Sequence, residues 1–286
     1  MAALLAALSA ITFGISDFFG GIAARRTVVF ASTLVAQASG LIVLVVLAFV
    51  IGGDAGWSDW LWGFAAGGAS GFAILLFYWS LSAGQMSVVA PVAALTSAIV
   101  PVAVGIGRGD RPSVAAILGI TLALPAIVLI SREPTEPDAA GVIHPAPRQF
   151  LSAPVIASLV AGAGFGFFFV AIGSADHDSG VWPLVAARLV GTTIVGILWA
   201  IRRVGRPASD AVPPAIAAGT LEAVANGLQI IAIRAGLLSL IGVISALYPA
   251  STVVMAQVFL KERMARHQQF GLALAAVAVV IVAAAS

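Results

Sequence analysis

Ten runs of mainly apolar residues, each about twenty residues long, follow one another along the chain of 286 residues. A helix needs about 20 such residues to cross the hydrocarbon core of a bilayer. Strands of a membrane barrel would alternate in short segments, whereas these runs are apolar throughout. The pattern predicts ten transmembrane helices, at residues 2–22, 29–51, 60–82, 86–106, 113–131, 152–173, 181–201, 212–234, 238–260 and 267–285.

The composition fits a protein whose main solvent is lipid. Apolar residues make up 61% of the chain and charged residues only 9%, whereas a soluble domain carries roughly 25% charged residues. So few charges cannot cover a water-facing surface, which excludes a soluble enzyme, and the high hydrophobicity excludes a disordered chain. Cysteine is absent, which excludes disulfides and thiolate metal sites. Because the arginines form no single basic patch, we expect no nucleic-acid partner.

The two halves of the chain resemble each other at a constant shift of 152 residues, with 13 identities over the 48 positions of residues 83–130. A proline-rich linker at 132–151 separates them, so we expect one five-helix repeat at 1–131 and a second at 152–286. Because five is odd, the second repeat would enter the membrane in the opposite sense. Inverted repeats are typical of secondary transporters; duplication for stability alone is the alternative.

Lysine and arginine are distributed unevenly between the two ends of the predicted helices. The loops after odd-numbered spans hold ten of these residues and the opposite loops hold three. The positive-inside rule then places both termini outside the cytoplasm.

Short motifs recur at corresponding places in the two halves. The second copy reads Tyr248-Pro249, Leu260-Lys261-Glu262-Arg263 and Gly271, and the first reads Pro91, Pro101, Gly109-Asp110-Arg111 and Gly119. With its ten spans and an Ala-Gly turn after spans three and eight, the chain resembles the drug/metabolite transporter superfamily, EamA type, whose usual motif here is Gly-Glu-Arg. The first copy departs from that motif by having Asp110. The resemblance implies a transporter with both termini in the cytoplasm, opposite to the charge distribution, and leaves the solute open.

A polar stripe of Glu222, Asn226 and Gln229 lies near the middle of the eighth span. Polar groups at membrane depth are costly and are functional candidates by default. We expect the stripe either to line a substrate cavity or to join helices by hydrogen bonds. A low-dielectric site favours the protonated form of a carboxyl group, which makes Glu222 the candidate for proton coupling. Arg188, in the seventh span, is expected to pair with Glu222 or with an anionic group of the solute.

Other spans hold further candidates. Asp17 shares a stripe of the first span with Phe13, and it either lines the cavity or reaches the interface beside Arg25 and Arg26. Proline kinks helices, which makes two prolines candidate gate or hinge positions. Acidic residues beside arginines at two helix ends, Asp110 and Glu262, are interpreted as solvated pairs that fix those ends. The remaining candidates are the substrate contacts Tyr78, Thr96, Ser245 and Tyr248 and the gate positions Pro91 and Pro249.

These features predict an all-α integral membrane protein of ten transmembrane helices in two inverted repeats. We expect a secondary transporter in the plasma (inner) membrane that moves a metabolite, an amino-acid-like compound or a drug by alternating access. Proton-coupled export and facilitated diffusion both stay open, as do a monomer and a homodimer. The expected partners are the solute and membrane lipid, with no cofactor and no metal site. The alternatives are a non-transporting scaffold or sensor, an integral membrane enzyme acting on a lipid-linked substrate, and a channel.

Overall fold

The computed structural model describes residues 2–107, 114–131, 152–235 and 248–285. These residues form ten α-helices and one short 3₁₀ segment, His177–Ser179, without any strand. In chain order the helices are α1 (Ala2–Arg26), α2 (Val29–Ile51), α3 (Trp57–Ala83), α4 (Met86–Gly107), α5 (Val114–Ser131), α6 (Ala153–Ile172), α7 (Trp182–Ile201), α8 (Val212–Ala235), α9 (Pro249–Phe259) and α10 (Arg266–Ala285).

Each predicted span corresponds to one of these helices, with shifts at the ends. Helix α1 continues past its predicted end at residue 22 to Arg26, because Ala23 and Ala24 are buried and basic residues are favourable at a helix C-terminus. Of the ninth predicted span the structure describes only the later part, as α9. Residues 238–247 and the predicted linker at 132–151 lie outside the described residues.

Six of the helices, α1, α2, α3, α6, α7 and α8, are long and apolar enough to cross a membrane. Large apolar side chains on their outer faces are more than half exposed, as at Ile42, Phe49 and Phe72. An exposed apolar surface of this kind requires lipid or a partner to cover it. The chain is therefore a multi-pass, membrane-embedded helical protein.

The main packing contacts join helices of the first half, α1–α5, to helices of the second half, α6–α10. These contacts come in matched pairs. Exchanging the halves, so that α1 becomes α6 and α2 becomes α7, converts the α1–α8 contact into α6–α3, α2–α8 into α7–α3, and α1–α9 into α6–α4. The two halves thus meet through corresponding helices.

Two of the matched contacts run antiparallel. The hydroxyl of Ser9 in α1 donates to the carbonyl of Ala225 in α8 (2.8 Å). Two turns later in α1, the hydroxyl of Ser16 donates to the carbonyl of Ala218 (2.7 Å). Position increases along α1 while it decreases along α8, so the two helices point in opposite directions. In the matched α3–α6 contact, Gly84 at the end of α3 likewise lies against Pro154 at the start of α6.

Small residues let the helices that run parallel approach each other closely. Gly63, Gly67 and Gly71, spaced four apart on α3, lie directly against the backbone of α7 from Pro183 to Gly191. In the matched contact, Gly219 of α8 lies against the Ala36 carbonyl of α2. Residues without bulky side chains allow backbones to approach in lipid.

Candidate functional site

The site is built where α1, α2, α7 and α8 cross at mid-length. Ser9 and Ser16 lie seven positions apart on α1, and their two hydrogen bonds to α8 fix the register of this crossing. Asp17 follows Ser16 directly, and Glu222 lies one turn beyond Ala218. In this antiparallel register Asp17 is level with the Ala218 turn of α8, about one turn from Glu222, and the two carboxylates interact electrostatically.

Arg188 of α7 reaches Glu222 of α8 through both terminal nitrogens. Its Nη2 lies 2.8 Å from Glu222 Oε1 and its Nη1 donates to Oε2 at 3.0 Å. The same Nη1 donates to the side-chain oxygen of Gln37 in α2. A guanidinium presents a planar fork of donors that suits this bidentate contact. Three helices, two from the second half and one from the first, are joined by a single side chain.

Burial makes this ion pair energetically important. The Arg188 side chain is 7% exposed and that of Glu222 is 25% exposed. A buried guanidinium without a counter-charge would carry a large desolvation penalty, so Arg188 depends on Glu222. A quarter of the Glu222 side chain remains exposed.

Glycines make room for the guanidinium and its partners. A Cβ on Gly40 of α2 would lie 3.2 Å from Arg188 Cζ, and one on Gly191 of α7 would lie 2.6 Å from Gln37 Nε2. Bulkier residues at either position would push Arg188 or Gln37 out of place. The sequence thus encodes both the polar groups and the space that they occupy.

The face of α1 that carries Asp17 meets two tyrosines. Gly14, three residues before Asp17, lies against Tyr248 at the start of α9, and Gly20, three residues after it, lies against the ring of Tyr78 in α3. Phe13 packs on Tyr248 with ring centroids 6.1 Å apart. Asp17 is half-buried, lies on this face between Gly14 and Gly20, and interacts electrostatically with both tyrosines. Because α1 extends to Arg26, Asp17 lies inside the helix rather than near its end.

Asn226 and Gln229 continue the Glu222 stripe along α8. Asn226 donates from its side-chain nitrogen to the Glu222 carbonyl one turn earlier (2.9 Å), and it is half-buried. Gln229 is also half-buried. The Asn226 side chain thus binds the backbone of Glu222 and not its carboxylate.

Other predicted site residues lie elsewhere. The hydroxyl of Thr96 donates to Val92 in its own helix α4, and its side chain packs against Gly162 of α6 rather than against the Arg188–Glu222 pair. Pro91 is buried within α4, and Pro249 is in the first turn of α9, where its missing N–H leaves no broken hydrogen bond. Ser245 and Asp110 lie outside the described residues.

Glu262 does not form the solvated pair that was predicted. Its side chain is only 10% exposed. It accepts hydrogen bonds from the Met86 and Ser87 amides (3.1 and 3.0 Å) and from the Ser87 hydroxyl (2.8 Å), and Arg25 lies at 3.4 Å. A carboxylate satisfies the free N–H groups at a helix start. Glu262, from the second half, therefore caps α4 of the first half.

Asp59 makes a matching connection at the other end of α3. It accepts from the Gly56 amide in its own half and from the Asp176 amide in the second half, both at 2.8 Å. The nearby Asp54 amide donates to the Asp178 carbonyl at 3.0 Å. Both ends of the bundle are thus closed by hydrogen bonds that cross between the halves.

Gln37 and Asp59 were not identified as candidate residues from the sequence. Gln37 is an amide within a very apolar span, which is the same signal that identified Glu222. Asp59 gives no such signal, because an acidic residue in the first turn of a helix is common. Within the described ranges no group of three potential metal-ligating side chains converges.

Comparison with known proteins shows which family the chain resembles. The model of the EamA-like transporter family matches residues 1–132 and again residues 152–284. No curated protein matches the chain. A solved structure described only as "Crystal structure of protein" is similar over 96% of this chain and 95% of its own length, with 15% identity and a TM-score of 0.61, which shows a shared fold. Two family matches that together cover nearly the whole sequence show that the chain belongs to the EamA-like transporter family.

Proposed function

We propose that this protein is a secondary transporter that moves a small organic solute across the plasma membrane by alternating access. The observation that carries the proposal is the Arg188–Glu222 ion pair with Gln37, at mid-length of helices from both halves. Charged groups at this depth are costly in lipid and mark solute pathways. Asp17, Tyr78 and Tyr248 complete the proposed site.

The pairing of the halves supports a rocking mechanism. Matched helix contacts with matched directions are what two inverted five-helix repeats would produce. In such an arrangement the halves can rock about a fixed central site. Opening toward one side would separate the Asp59 contacts, and opening toward the other would separate the Glu262 contacts.

Proton coupling at Glu222 belongs to the same proposal. A proton on Glu222 would remove the charge that holds Arg188, so protonation and release of the α7–α8 contact would occur together. A Glu222→Gln variant mimics the protonated state. In proteoliposomes it should lose the dependence of transport on a pH gradient while retaining exchange of solute.

The direct test is transport by purified protein in liposomes. Uptake of amines, amino acids and carboxylates would be compared with empty liposomes and with an R188Q/E222Q variant. Saturable uptake that the double variant lacks supports a carrier, whereas non-saturating conductance indicates a channel. Recovery of a chemically altered solute would indicate an enzyme. Absence of uptake for every solute class would contradict the proposal.

A further inference from the structure

The charges at membrane depth do not cancel. Away from the helix ends, the described residues contain three charged side chains, Asp17, Arg188 and Glu222. Two carboxylates and one guanidinium leave one negative charge. An unpaired charge in a low-dielectric site is strongly unfavourable and is neutralised by a proton or by a bound cation, so the ionised site favours the binding of a positive charge.

The surplus charge belongs to Asp17. Arg188 directs both terminal nitrogens at Glu222 and Gln37, so its positive charge is already used. Asp17, in contrast, has no hydrogen bond or ion pair with any residue that the structure describes, and its electrostatic interaction with Glu222 is repulsive. An incoming carboxylate would meet this repulsion and would have to displace Glu222 from Arg188.

Aromatic side chains flank Asp17 along α1. Phe13 and Tyr248 pack together one turn before Asp17, and Tyr78 lies one turn after it. The faces of aromatic rings attract cations, and more strongly so when the cation is desolvated. A carboxylate on a helix face flanked by aromatic side chains is therefore suited to an ammonium group attached to an apolar body.

We propose that the transported solute is cationic, a protonated amine on an apolar body, and that Asp17 binds its charge. This inference rests on the proposed transport function, because it names the class of solute for the same site. Arg188 then serves to hold Glu222 and leaves Asp17 as the group that selects the sign of charge.

Three probes of similar size and different charge test the inference. Phenethylamine is a cation, 2-phenylethanol is neutral and phenylacetate is an anion at pH 7. Each would be added to purified full-length protein in detergent, and its affinity would be obtained from the concentration dependence of thermal stabilisation. We expect stabilisation by phenethylamine, and weaker or no stabilisation by the other two.

Variants then assign the selectivity to Asp17. An Asp17→Asn variant should weaken phenethylamine binding by about tenfold or more, the loss expected when one charge-assisted contact is removed, and should bind 2-phenylethanol as the parent protein does. Asp210→Asn, which removes an exposed loop carboxylate, is the matched control and should change neither affinity. Phe13→Leu keeps the carboxylate and should still weaken the binding of phenethylamine more than the binding of 2-phenylethanol. This variant tests the inference if Asp17→Asn does not fold.

The outcomes separate this inference from the proposed function. Phenethylamine binding that depends on Asp17 or Phe13 supports it whether or not liposomes show transport, and an absence of transport then counts against the transporter proposal alone. Equal or tighter binding of phenylacetate or 2-phenylethanol would overturn it. Unchanged phenethylamine affinity in both variants, or no stabilisation by phenethylamine, would overturn it as well.

Discussion

Arg188 and Glu222 form a bidentate ion pair between two neighbouring helices of the second half, with Nη2–Oε1 at 2.8 Å and Nη1–Oε2 at 3.0 Å. Removing one member of a buried pair leaves an uncompensated charge and costs about 3–5 kcal/mol. We therefore expect Arg188→Gln and Glu222→Gln each to lower the stability of the folded protein. In the double variant neither charge remains, so its loss of stability should be smaller than the sum of the two single losses.

A double-mutant cycle in detergent, followed by thermal or denaturant unfolding, measures this coupling. Arg188→Lys is the matched control for charge, because an ammonium keeps the charge but cannot bridge both Glu222 oxygens and Gln37 in one plane. The stability of Arg188→Lys should lie between that of the parent protein and that of Arg188→Gln. Additive losses in the cycle would show that the two side chains do not stabilise each other.

Close approach of α2 and α8 depends on a glycine. A Cβ on Gly219 would collide with the Ala36 carbonyl, which is backbone and cannot rotate away. Overpacking of this kind costs about 1–3 kcal/mol, and separating α2 from α8 would also disturb the Gln37–Arg188 contact. Gly219→Ala should therefore lower the unfolding temperature.

Gly68 of α3 provides the matched control for that substitution. Nothing lies within 4 Å of a Cβ placed on it, and alanine is favoured over glycine within a helix by about 0.5–1 kcal/mol. Gly68→Ala should leave the unfolding temperature unchanged or raise it. Equal effects of the two substitutions would mean that helix propensity, and not the α2–α8 contact, governs stability at Gly219.

Glu262 should protect the first turn of α4 from solvent exchange. Loss of a capping side chain costs about 1 kcal/mol, which corresponds to roughly fivefold faster opening of the capped turn. In a Glu262→Ala variant we expect faster hydrogen exchange in the peptide that contains Met86 and Ser87. Arg263→Ala, at the exposed neighbouring position, should leave exchange unchanged. Equal exchange rates in the two variants would show that Glu262 does not cap α4.

The positions of the helices were predictable and the contacts between their ends were not. Each helix is marked by a local apolar run, so the spans could be read directly, and Arg188 and Glu222 could be found because charge is rare at that depth. The contact from Glu262 to Ser87 joins segments 175 residues apart. It depends on how the second half packs on the first, which no local pattern records. The same holds for Asp17, whose neighbours follow from the register set by Ser9 and Ser16 with α8.

Alternating access requires the two halves to separate at the end of the bundle that contains Asp59. The loops there are joined by the Asp54 amide and the Asp178 carbonyl at 3.0 Å, and the chain has no cysteine of its own. An Asp54→Cys/Asp178→Cys variant should therefore form one defined disulfide under oxidation. That disulfide would hold the halves together at this end, because a direct backbone hydrogen bond between the two residues keeps their backbones near the short Cα separation that a disulfide needs. We expect oxidation to stop solute uptake into proteoliposomes and a reductant to restore it, while each single cysteine variant transports with or without oxidant. Full transport by the oxidised double variant would show that this end does not open during the cycle, and the rocking mechanism would then be wrong.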